Sequence, residues 1–324
     1  MSADAARLVH HTVQVPATSA NLGAGFDAFG LALDLHLAAR TVERTEGAPL
    51  VTSRGLGADV IPTDATNLVW RSFVGACEAM DQPVPDIALE VTNRIPLERG
   101  LGSSSAAIVA GIVLARSVTG AHVGERALVD IAAAIEGHPD NVAPAILGGL
   151  VAGARGADGY VVRRINPLPG HVALAFVPPV VQSTEASRAT LPDGLDREAV
   201  VDQVARAGHV LVGLTGAWSI DPTLVGDRLH EPGRTAALPD RGALLDAVRA
   251  DGLTAWLSGS GPVIVALAPE GDERVLAAAA SHAEGVGSEL LVLALDRLGA
   301  LACPDGGCAL SGVGGCAQCP RERL

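Results

Sequence analysis

The sequence predicts an α+β fold. Strand-like and helix-like segments follow one another along the chain without the regular βαβ order of a parallel α/β protein. Hydrophobic residues make up 48% of the 324 residues, so the chain can bury a large core. This length suits one large domain or two modest ones.

The N-terminal part of the chain contains two predicted strands. Residues 12–15 and 31–37 alternate or run apolar over short stretches, which is typical of strands, and a glycine-rich loop at residues 21–30 lies between them. Residues 65–80 carry apolar side chains at helical spacing, and residues 87–93 resemble another strand. A polar loop of unusual composition therefore lies between core strands.

The middle of the chain is predicted to contain two helices and a strand. Residues 103–116 are rich in alanine and predict a buried helix, and residues 128–136 predict a second helix. A glycine pair at residues 148–149 breaks the chain before a strand at residues 150–154. The basic and proline-containing segment at residues 163–170 predicts a domain junction.

The C-terminal part combines both element types. Residues 171–177 predict a strand, and residues 199–217 and 241–250 predict helices. Residues 255–268 predict two short strands around a Gly-Ser-Gly-Pro turn at residues 259–262. Strands and helices therefore mix here as well.

Charge restricts the class of partner. The formal net charge is −13, which disfavours binding to a nucleic-acid backbone. The chain contains no lysine, so all 23 basic residues are arginines. A lysine-bearing Walker A loop is excluded, and any anion site must use guanidinium groups, helix N-termini or backbone amides.

Nothing in the sequence indicates a membrane protein. Residues 1–11 lack a cationic and apolar signal, and the longest apolar run, at residues 106–115, is too short to span a bilayer. We therefore expect a cytoplasmic protein. Cys77 stands alone in an apolar stretch, so the main body shows no disulfide framework.

A glycine-rich segment before the helix predicted at residue 103 is the strongest local signal. Gly100 and Gly102 let the backbone approach a polyanion, and the helix that follows presents free N–H groups. A plain helix N-cap after a glycine turn is the alternative explanation. The candidate ATP-binding segment consists of Pro96, Leu97, Glu98, Arg99, Gly100, Leu101, Gly102, Ser103, Ser104, Ser105 and Ala106.

Three further segments accompany this loop. Residues 16–27 read PATSANLGAGFD, residues 136–141 read EGHPDN, and residues 259–262 read GSGP. Together with the loop they resemble the motifs of the GHMP kinase superfamily, which is named for galactokinase, homoserine kinase, mevalonate kinase and phosphomevalonate kinase. Their order and separations agree with that superfamily.

The resemblance implies a two-domain fold. Residues 1–165 would form a domain similar to ribosomal protein S5 domain 2, with a left-handed βαβ crossover. Residues 166–302 would form an α+β domain similar to the ferredoxin-like fold, and ATP would bind in the cleft between the domains. Residues 303–324 form a Gly/Cys-rich tail outside the family pattern.

The most detailed resemblance is to the homoserine kinases. It rests on residues 183–192, STEASRATLP, and on residues 227–234, DRLHEPGR. It implies ATP-dependent phosphorylation of the side-chain hydroxyl of L-homoserine, a step of threonine biosynthesis. Homoserine is a zwitterion, so its carboxylate suits an arginine fork and its ammonium group suits a carboxylate. Arg188 and Arg234 fit the first role, and Asp27 fits the second.

The same resemblance implies further pocket residues. Asn21 and His138 would lie near the amino acid, and Thr184 would contact the substrate or a phosphate. A satisfied, half-buried histidine is the alternative for His138. Asn141 falls where mevalonate kinase has its proposed catalytic aspartate, and there it would orient the hydroxyl group without deprotonating it.

ATP implies Mg²⁺, which prefers oxygen ligands. Ser104, with Ser103 as the alternative, and Glu136 are the candidate ligands, although Glu136 could simply end its helix. Asn67 resembles the position near adenine, and a turn-forming asparagine before a helix explains it equally well.

The cysteine-rich end has two explanations. Cys303, Cys308, Cys316 and Cys319 have spacings that could offer four thiolates to zinc, and a glycine-rich extension without metal is the alternative. Other functions also stay open. These are a sibling kinase for a sugar or an isoprenoid alcohol, and a catalytically silent nucleotide sensor. Superfamily members are commonly dimers, so we also consider a homodimer.

Overall fold

The computed structural model describes residues 10–182 and 184–303. Its strands are β1 (Thr12–Ala20), β2 (Phe29–Glu43), β3 (Val51–Gly55), β4 (Ile87–Asn93), β5 (Leu150–Gly156), β6 (Gly159–Ile165), β7 (His171–Val177), β8 (Thr254–Leu257), β9 (Ile264–Pro269), β10 (Glu289–Ala294) and β11 (Leu301–Cys303). Its helices are α1 (Leu68–Ala79), α2 (Ser103–Thr119), α3 (Glu125–Glu136), α4 (Pro139–Leu147), α5 (Thr184–Arg188), α6 (Arg197–Leu214), α7 (Glu231–Ala237), α8 (Pro239–Ala250) and α9 (Glu273–Gly285).

The first sheet is built mainly from the N-terminal half of the chain. Its order is β11-β1-β2-β4-β3, and β5 pairs with both β2 and β6. Helices α2 and α4 pack against β1, which is buried along nearly its whole length. This burial brings the polar side chains of Thr18 and Ser19 into the interior, where they need hydrogen-bond partners.

Helix α2 lies in the core and carries small side chains where neighbours approach closely. A Cβ atom on Gly111 would lie 2.3 Å from the backbone oxygen of Val69 in α1. Glycine inside a helix costs about 1 kcal/mol relative to alanine, and the close contact between α1 and α2 offsets that cost. The helix ends at Gly120 in the left-handed conformation. Gly102, the residue before the helix, has the same left-handed conformation, so a glycine stands at each end of α2.

The second sheet has the order β10-β7-β9-β8, and its pairs are antiparallel. Numbered by their order along the chain, these strands lie as 4-1-3-2. This is the arrangement of a ferredoxin-like sheet, as expected. Helices α5 to α8 lie in the connection between β7 and β8, and α9 connects β9 to β10.

The two sheets meet at the glycine-rich segment before α2, residues 96–102, which is called the glycine-rich loop below. The Ser258 hydroxyl donates to the backbone oxygen of Gly100 at 2.6 Å, and the Val263 N–H donates to the oxygen of Arg99 at 3.1 Å. After β10 the chain returns to the first sheet, where β11 pairs with β1. Residues 301 and 302 therefore lie in the first sheet, whereas we expected residues 166–302 to form one domain.

The prediction found most elements and missed several. Strands β4 and β7 have the bounds expected from the sequence. Strands β1 and β2 are longer than expected: β1 includes the PATSA segment, and β2 begins at Phe29, inside the loop expected at residues 21–30. The expected junction at residues 163–170 begins inside β6. The missed elements are β3, β6, β10 and β11 among the strands and α4, α5, α7 and α9 among the helices.

Cys303, the first residue of the expected cysteine-rich tail, belongs to a strand. It is buried at the end of β11, opposite Thr12 of β1. Cys308, Cys316 and Cys319 lie outside the described residues. Within the described part of the chain, no helix combines the length and the apolar character needed to cross a membrane.

Candidate active site

A cleft of about 280 Å³ lies where the two sheets meet. It is lined by most of the residues that the sequence singled out: Asn21, Asp27, Glu98, Arg99, Gly100, Gly102, Ser103, Ser104, Ser105, Glu136, His138, Asn141, Arg188 and Arg234. Three other lining residues, Asp140, Gly259 and Ser260, belong to the EGHPDN and GSGP segments but had no predicted role in the site. Gln182 also lines the cleft and lies outside the segments that the sequence indicated.

The glycine-rich loop, residues 96–102, presents its N–H groups and not its carbonyl groups. The backbone oxygens of Glu98, Arg99, Gly100 and Leu101 all accept hydrogen bonds from other parts of the chain. Among the bonds between described residues, none has a backbone N–H of residues 100–105 as its donor. Free N–H groups beside the N-terminus of α2 favour an anion.

Gly100 and Gly102 are required by the shape of this loop. Both have positive φ angles, +89° and +68°. A Cβ atom on Gly100 would lie 2.2 Å from the backbone oxygen of Ser258, and one on Gly102 would lie 2.0 Å from Oγ1 of Thr18. Any side chain at either position would therefore displace the loop from β1 or from the second sheet.

Serine hydroxyls and a carboxylate meet at the start of α2. Ser105 Oγ donates to Glu136 Oε1 at 2.8 Å, and Ser104 Oγ lies 3.4 Å from Glu136 Oε2. Glu136 is the last residue of α3, so two helix ends bring these groups together. Hydroxyl and carboxylate oxygens are the donors that Mg²⁺ prefers, so the group fits a magnesium ion.

Asn141 lies in α4 beneath the cleft. Its Oδ1 accepts a hydrogen bond from the buried Thr18 hydroxyl at 2.8 Å. The bond assigns the oxygen of the Asn141 amide to the interior, which leaves the NH₂ group for a ligand. Asn21 is nearby in the loop after β1, and its amide donates to the backbone oxygen of Gly259 at 2.9 Å.

His138 and Asp140 form a close pair at the start of α4. The Nδ1 atom of His138 lies 2.5 Å from Oδ1 of Asp140, which is almost completely buried. Burial lowers the pKa of His138, but the hydrogen bond and charge of Asp140, with the charges of Asp27 and Glu136, raise it overall. The charged form of this imidazole is therefore more stable in the cleft than it would be for a histidine in water.

Asp27 and Arg188 form an ion pair across 161 residues of sequence. The Arg188 Nη2 atom donates to both carboxylate oxygens of Asp27, at 3.0 and 3.1 Å. The sequence predicted separate roles for these side chains and not their mutual contact. Both are about one third exposed, so a ligand can reach them.

Arg234 is buried at the cleft, with 3% of its surface exposed. Its Nη1 atom donates to Gly259 O at 2.7 Å and to Nδ1 of His230 at 3.2 Å, and its Nε atom has no partner among the described residues. It makes no ion pair with any described carboxylate. Burial and then the charge of Arg188 lower the pKa of Arg234. Nearby carboxylates raise that pKa, but none of the described ones pairs with Arg234 directly. A buried guanidinium group without a direct anionic partner is costly, which favours an anionic ligand here.

Phe26 joins the two arginines. The guanidinium carbons of Arg188 and Arg234 lie 5.8 and 5.5 Å from the centre of its ring. His230 stacks on the same ring at 5.2 Å. Two positive groups therefore converge on one aromatic side chain, and an anion between them would relieve their repulsion.

The sequence analysis quoted the DRLHEPGR segment but named only Arg234 within it. The structure adds His230, which touches Arg234, and Asp227, whose carboxylate accepts the N–H groups of His230 and Glu231. Glu231 in turn pairs with Arg249 at 2.7 Å. A histidine four residues before an arginine at the start of a helix was the available signal.

Some predicted residues lie away from the cleft. Asn67 caps α1 and is 1% exposed. Its Oδ1 atom accepts from the N–H groups of Val69 and Trp70, and its NH₂ group donates to Pro62 O. These bonds match the alternative explanation, a turn-forming asparagine before a helix. Leu101 and Ala106 are fully buried, so only their backbone could meet a phosphate. Arg99 does line the cleft, but its guanidinium group is bonded to the backbone oxygens of Pro178 and Pro179.

Pro96 is buried, and Leu97 packs against Gly57, so neither presents a side chain to the cleft. Thr184 is the first residue of α5, and its side chain lies outside the described part of the structure.

Comparison with known proteins agrees with this geometry. The family model described as "GHMP kinases N terminal domain" matches residues 67–149. The fold and the site therefore define a protein of the GHMP kinase class. The homoserine kinase of Lactiplantibacillus plantarum is 40% identical over 294 residues, which cover 89% of this chain and 97% of that protein. The homoserine kinase of Moorella thermoacetica is 40% identical over 78% of this chain and 86% of its own. This chain belongs to the homoserine kinase family.

Solved structures show the same relationship. The crystal structure of homoserine kinase from Cytophaga hutchinsonii has a TM-score of 0.78 and 28% identity, and covers 91% of this chain and 98% of its own. The mevalonate kinase of L. major, with a TM-score of 0.64 and 14% identity over 88% of this chain and 95% of its own, shares the fold alone.

Proposed function

We propose that this protein transfers the γ-phosphate of ATP to the side-chain hydroxyl of L-homoserine. The observation that carries the proposal is Arg234, a buried guanidinium group that lines the cleft without an ion-pair partner among the described residues. The same cleft contains the unoccupied N–H groups of the glycine-rich loop. One part of the cleft thus suits a carboxylate and the other suits phosphates.

The loop would hold the nucleotide. Free backbone N–H groups of residues 100–105 and the positive end of α2 would bind the phosphate oxygens without any lysine. Their orientation is set before ATP arrives, because the loop carbonyls are already bonded to both sheets. Preorganised donors of this kind stabilise charge that develops during phosphoryl transfer.

The substrate would replace an internal ion pair. Asp27 and Arg188 pair with each other in the free protein, and homoserine brings both a carboxylate and an ammonium group. Its carboxylate would bind between Arg188 and Arg234, and its ammonium group would bind Asp27. One ion pair, about one third exposed, is then exchanged for several charge-assisted hydrogen bonds.

Asn141 would position the hydroxyl group that is phosphorylated. Thr18 holds the Asn141 oxygen, so its NH₂ group would donate to the substrate oxygen. An amide cannot act as a strong base, and the proton would pass to a phosphate oxygen or to water. His138 would add a positive group to the cleft when it is protonated, and transfer would depend mainly on the positions of the reacting groups.

We propose Mg²⁺ as the metal ion, held by Ser104 and Glu136 together with ATP. When bound, Mg²⁺ neutralises charge on the phosphoryl group that is transferred. The fit rests on the two oxygen donors that meet at the ends of α2 and α3. Ser105 orients the Glu136 carboxylate through its 2.8 Å bond. Because glutamine has no carboxylate, a Glu136→Gln variant should require more Mg²⁺ for activity.

The test is ADP release by the purified protein with Mg-ATP and separate additions of L-homoserine, galactose, mevalonate or buffer. Turnover with homoserine alone is expected, and Arg234→Ala should reduce it at least about 100-fold because a buried charge-assisted pair is lost. Arg228→Ala is the matched control, since Arg228 is a half-exposed arginine six residues earlier that pairs with Asp202.

Three other outcomes would contradict the proposal. Turnover with galactose or mevalonate would assign a sibling kinase. ATP binding without turnover of any alcohol would assign a nucleotide sensor. Equal losses of homoserine turnover in Arg234→Ala and Arg228→Ala would show that Arg234 does not bind the substrate carboxylate.

A further inference from the structure

His230 contacts Arg234, and both residues are buried. It is completely buried, and it lies one residue before α7, which begins at Glu231. Its Nε2 atom lies 3.2 Å from the backbone oxygen of Gly23, and its Nδ1 atom lies 3.2 Å from Nη1 of Arg234. The side chain therefore bridges the loop after β1 and the candidate carboxylate site.

The neighbours of the ring determine which nitrogen of His230 carries the hydrogen. Besides Gly23 and Arg234, the Asp227 carboxylate lies near the ring, with Oδ2 3.4 Å from Nε2. A backbone oxygen can only accept, so Nε2 must donate to Gly23. A guanidinium group can only donate, so Nδ1 must accept from Arg234. Burial, followed by the charge of Arg234, lowers the pKa of His230 to about 3, so the neutral ring is the dominant form.

The bond has a consequence for the geometry of Arg234. Its Nη1 group carries two hydrogens, and His230 and Gly259 take one each. The Nε and Nη2 groups stay available, and this edge of the guanidinium group is the one that can bind a carboxylate through two parallel hydrogen bonds. Without the bond to His230, the guanidinium group could rotate away from this orientation.

The backbone around His230 is held independently. The Asp227 carboxylate accepts the N–H groups of His230 at 3.0 Å and Glu231 at 2.7 Å, and Glu231 is paired with Arg249. Substitution of the His230 side chain therefore leaves the start of α7 anchored.

We propose that His230 is a positioning residue that orients Arg234 for the substrate carboxylate, and that it thereby sets the preference of this site for carboxylate-bearing alcohols. The inference rests on the proposed function. A purely structural role, in which the ring only packs on Phe26, is the competing explanation.

Two variants separate these explanations because they lose the ring equally. In His230→Asn the amide oxygen can occupy the position of Nδ1 and accept from Arg234. In His230→Gln the amide extends to the position of Nε2, so the bond to Gly23 is kept and the acceptor for Arg234 is lost. The readouts are KM for L-homoserine, KM for ATP, and the inhibition constant of 3-aminopropan-1-ol, which lacks only the carboxylate.

We expect His230→Gln to raise KM for homoserine about tenfold, the effect of one lost hydrogen bond to a charged group. KM for ATP and the inhibition constant of 3-aminopropan-1-ol should change by less than about threefold, because neither ligand uses this edge of Arg234. His230→Asn should keep KM for homoserine within about threefold of wild type. In an Arg234→Ala background, His230→Gln should have no further effect on KM for homoserine.

Equal KM values for homoserine in the two variants would overturn the inference. So would a parallel rise in the inhibition constant of 3-aminopropan-1-ol, since that compound has no carboxylate to misplace. Absence of homoserine turnover in the wild-type protein would overturn the proposed function and this inference together. Wild-type turnover with unchanged values in His230→Gln would overturn the inference alone.

Discussion

Two parts of the same cleft bind through different chemical groups. They are the glycine-rich loop at residues 96–102, called the phosphate loop here, and the arginine pocket. The phosphate loop uses backbone N–H groups and a helix N-terminus, and its glycines allow close packing between the sheets. The arginine pocket, formed by Asp27, Arg188, His230 and Arg234, uses charged and polar side chains from distant parts of the chain. A backbone cradle recognises any polyanion, whereas a set of side chains can select one substrate.

This difference explains how one fold can host several kinases. The mevalonate kinase of L. major shares the fold at 14% identity, so few of its side chains match those of this chain. Backbone geometry survives most side-chain substitutions, because only glycine positions and helix ends define it. Substrate preference should therefore reside mainly in the arginine pocket.

The largest expected effect comes from a substitution in the phosphate loop. In Gly102→Ala the new Cβ atom would meet Thr18 Oγ1 at 2.0 Å, at a φ of +68°. We expect kcat/KM for ATP to fall at least about 100-fold, because several N–H groups would shift together. Steady-state kinetics with varied ATP measure this.

Gly120→Ala is the matched control for that variant. Gly120 ends the same helix at a φ of +69°, and a Cβ atom there would have no neighbour within 4 Å. Both variants should lose about 1–2 kcal/mol of folding free energy from backbone strain. Equal activities in the two variants would show that strain, and not the close contact with Thr18, matters.

Asp27→Asn tests the arginine pocket. It removes the partner of Arg188 and the candidate ammonium site, so KM for homoserine should rise about thirtyfold, equivalent to about 2 kcal/mol. KM for ATP should hardly change if the two parts of the cleft act separately. Asp202→Asn, which removes a carboxylate paired with Arg206 and Arg228, is the control. A comparable rise in KM for ATP would break the comparison.

Acid should destabilise the arginine pocket through His230. Its folded pKa, about 3, lies below the ordinary value of 6.5, so the unfolded chain binds more protons between these values. Stability is therefore present above pH 6.5 and is lost as pH falls toward 3, by about 2 kcal/mol at pH 5. Urea unfolding at pH 7 and pH 5 should show this loss in wild type but not in His230→Asn.

The carboxyl group of Asp227 titrates in the opposite direction. Burial raises its pKa to about 6, so its contribution to stability falls as pH rises from about 4 to 6. Asp227 is present in both proteins, and burial, the main cause of its raised pKa, is common to both, so most of its contribution cancels in their difference. His122→Asn, at an exposed position, is the control, and an equal loss at pH 5 in all three proteins would contradict the assignment to His230.

The smallest expected effect comes from Thr18→Val. This change keeps the shape of the side chain but removes the donor to Asn141 Oδ1. The expected decrease in kcat is about fivefold, the effect of one neutral hydrogen bond, with KM for ATP unchanged. Thr41→Val, which alters a buried threonine whose hydroxyl accepts from the N–H of His11 just before β1, should leave kcat unchanged.

How far the sequence predicted the site depended on whether a feature was local. Gly100, Gly102 and the serines that follow are contiguous, and their conformations are set by neighbours in the chain, so the phosphate loop could be recognised. The helix at Pro139–Leu147 was missed because it is short and proline-rich. Strand β11 was missed because three residues carry no periodic signal.

The sequence by itself determined the α+β class, the phosphate loop, and the absence of lysine that leaves anion binding to arginines and amides. Only the tertiary structure decided that Asp27 pairs with Arg188, that His230 holds Arg234, and that Thr18 holds Asn141. The reason is that backbone conformation depends on nearest neighbours, whereas ion pairs and buried hydrogen bonds join side chains that lie far apart in sequence. Such contacts exist only after the sheets have packed together.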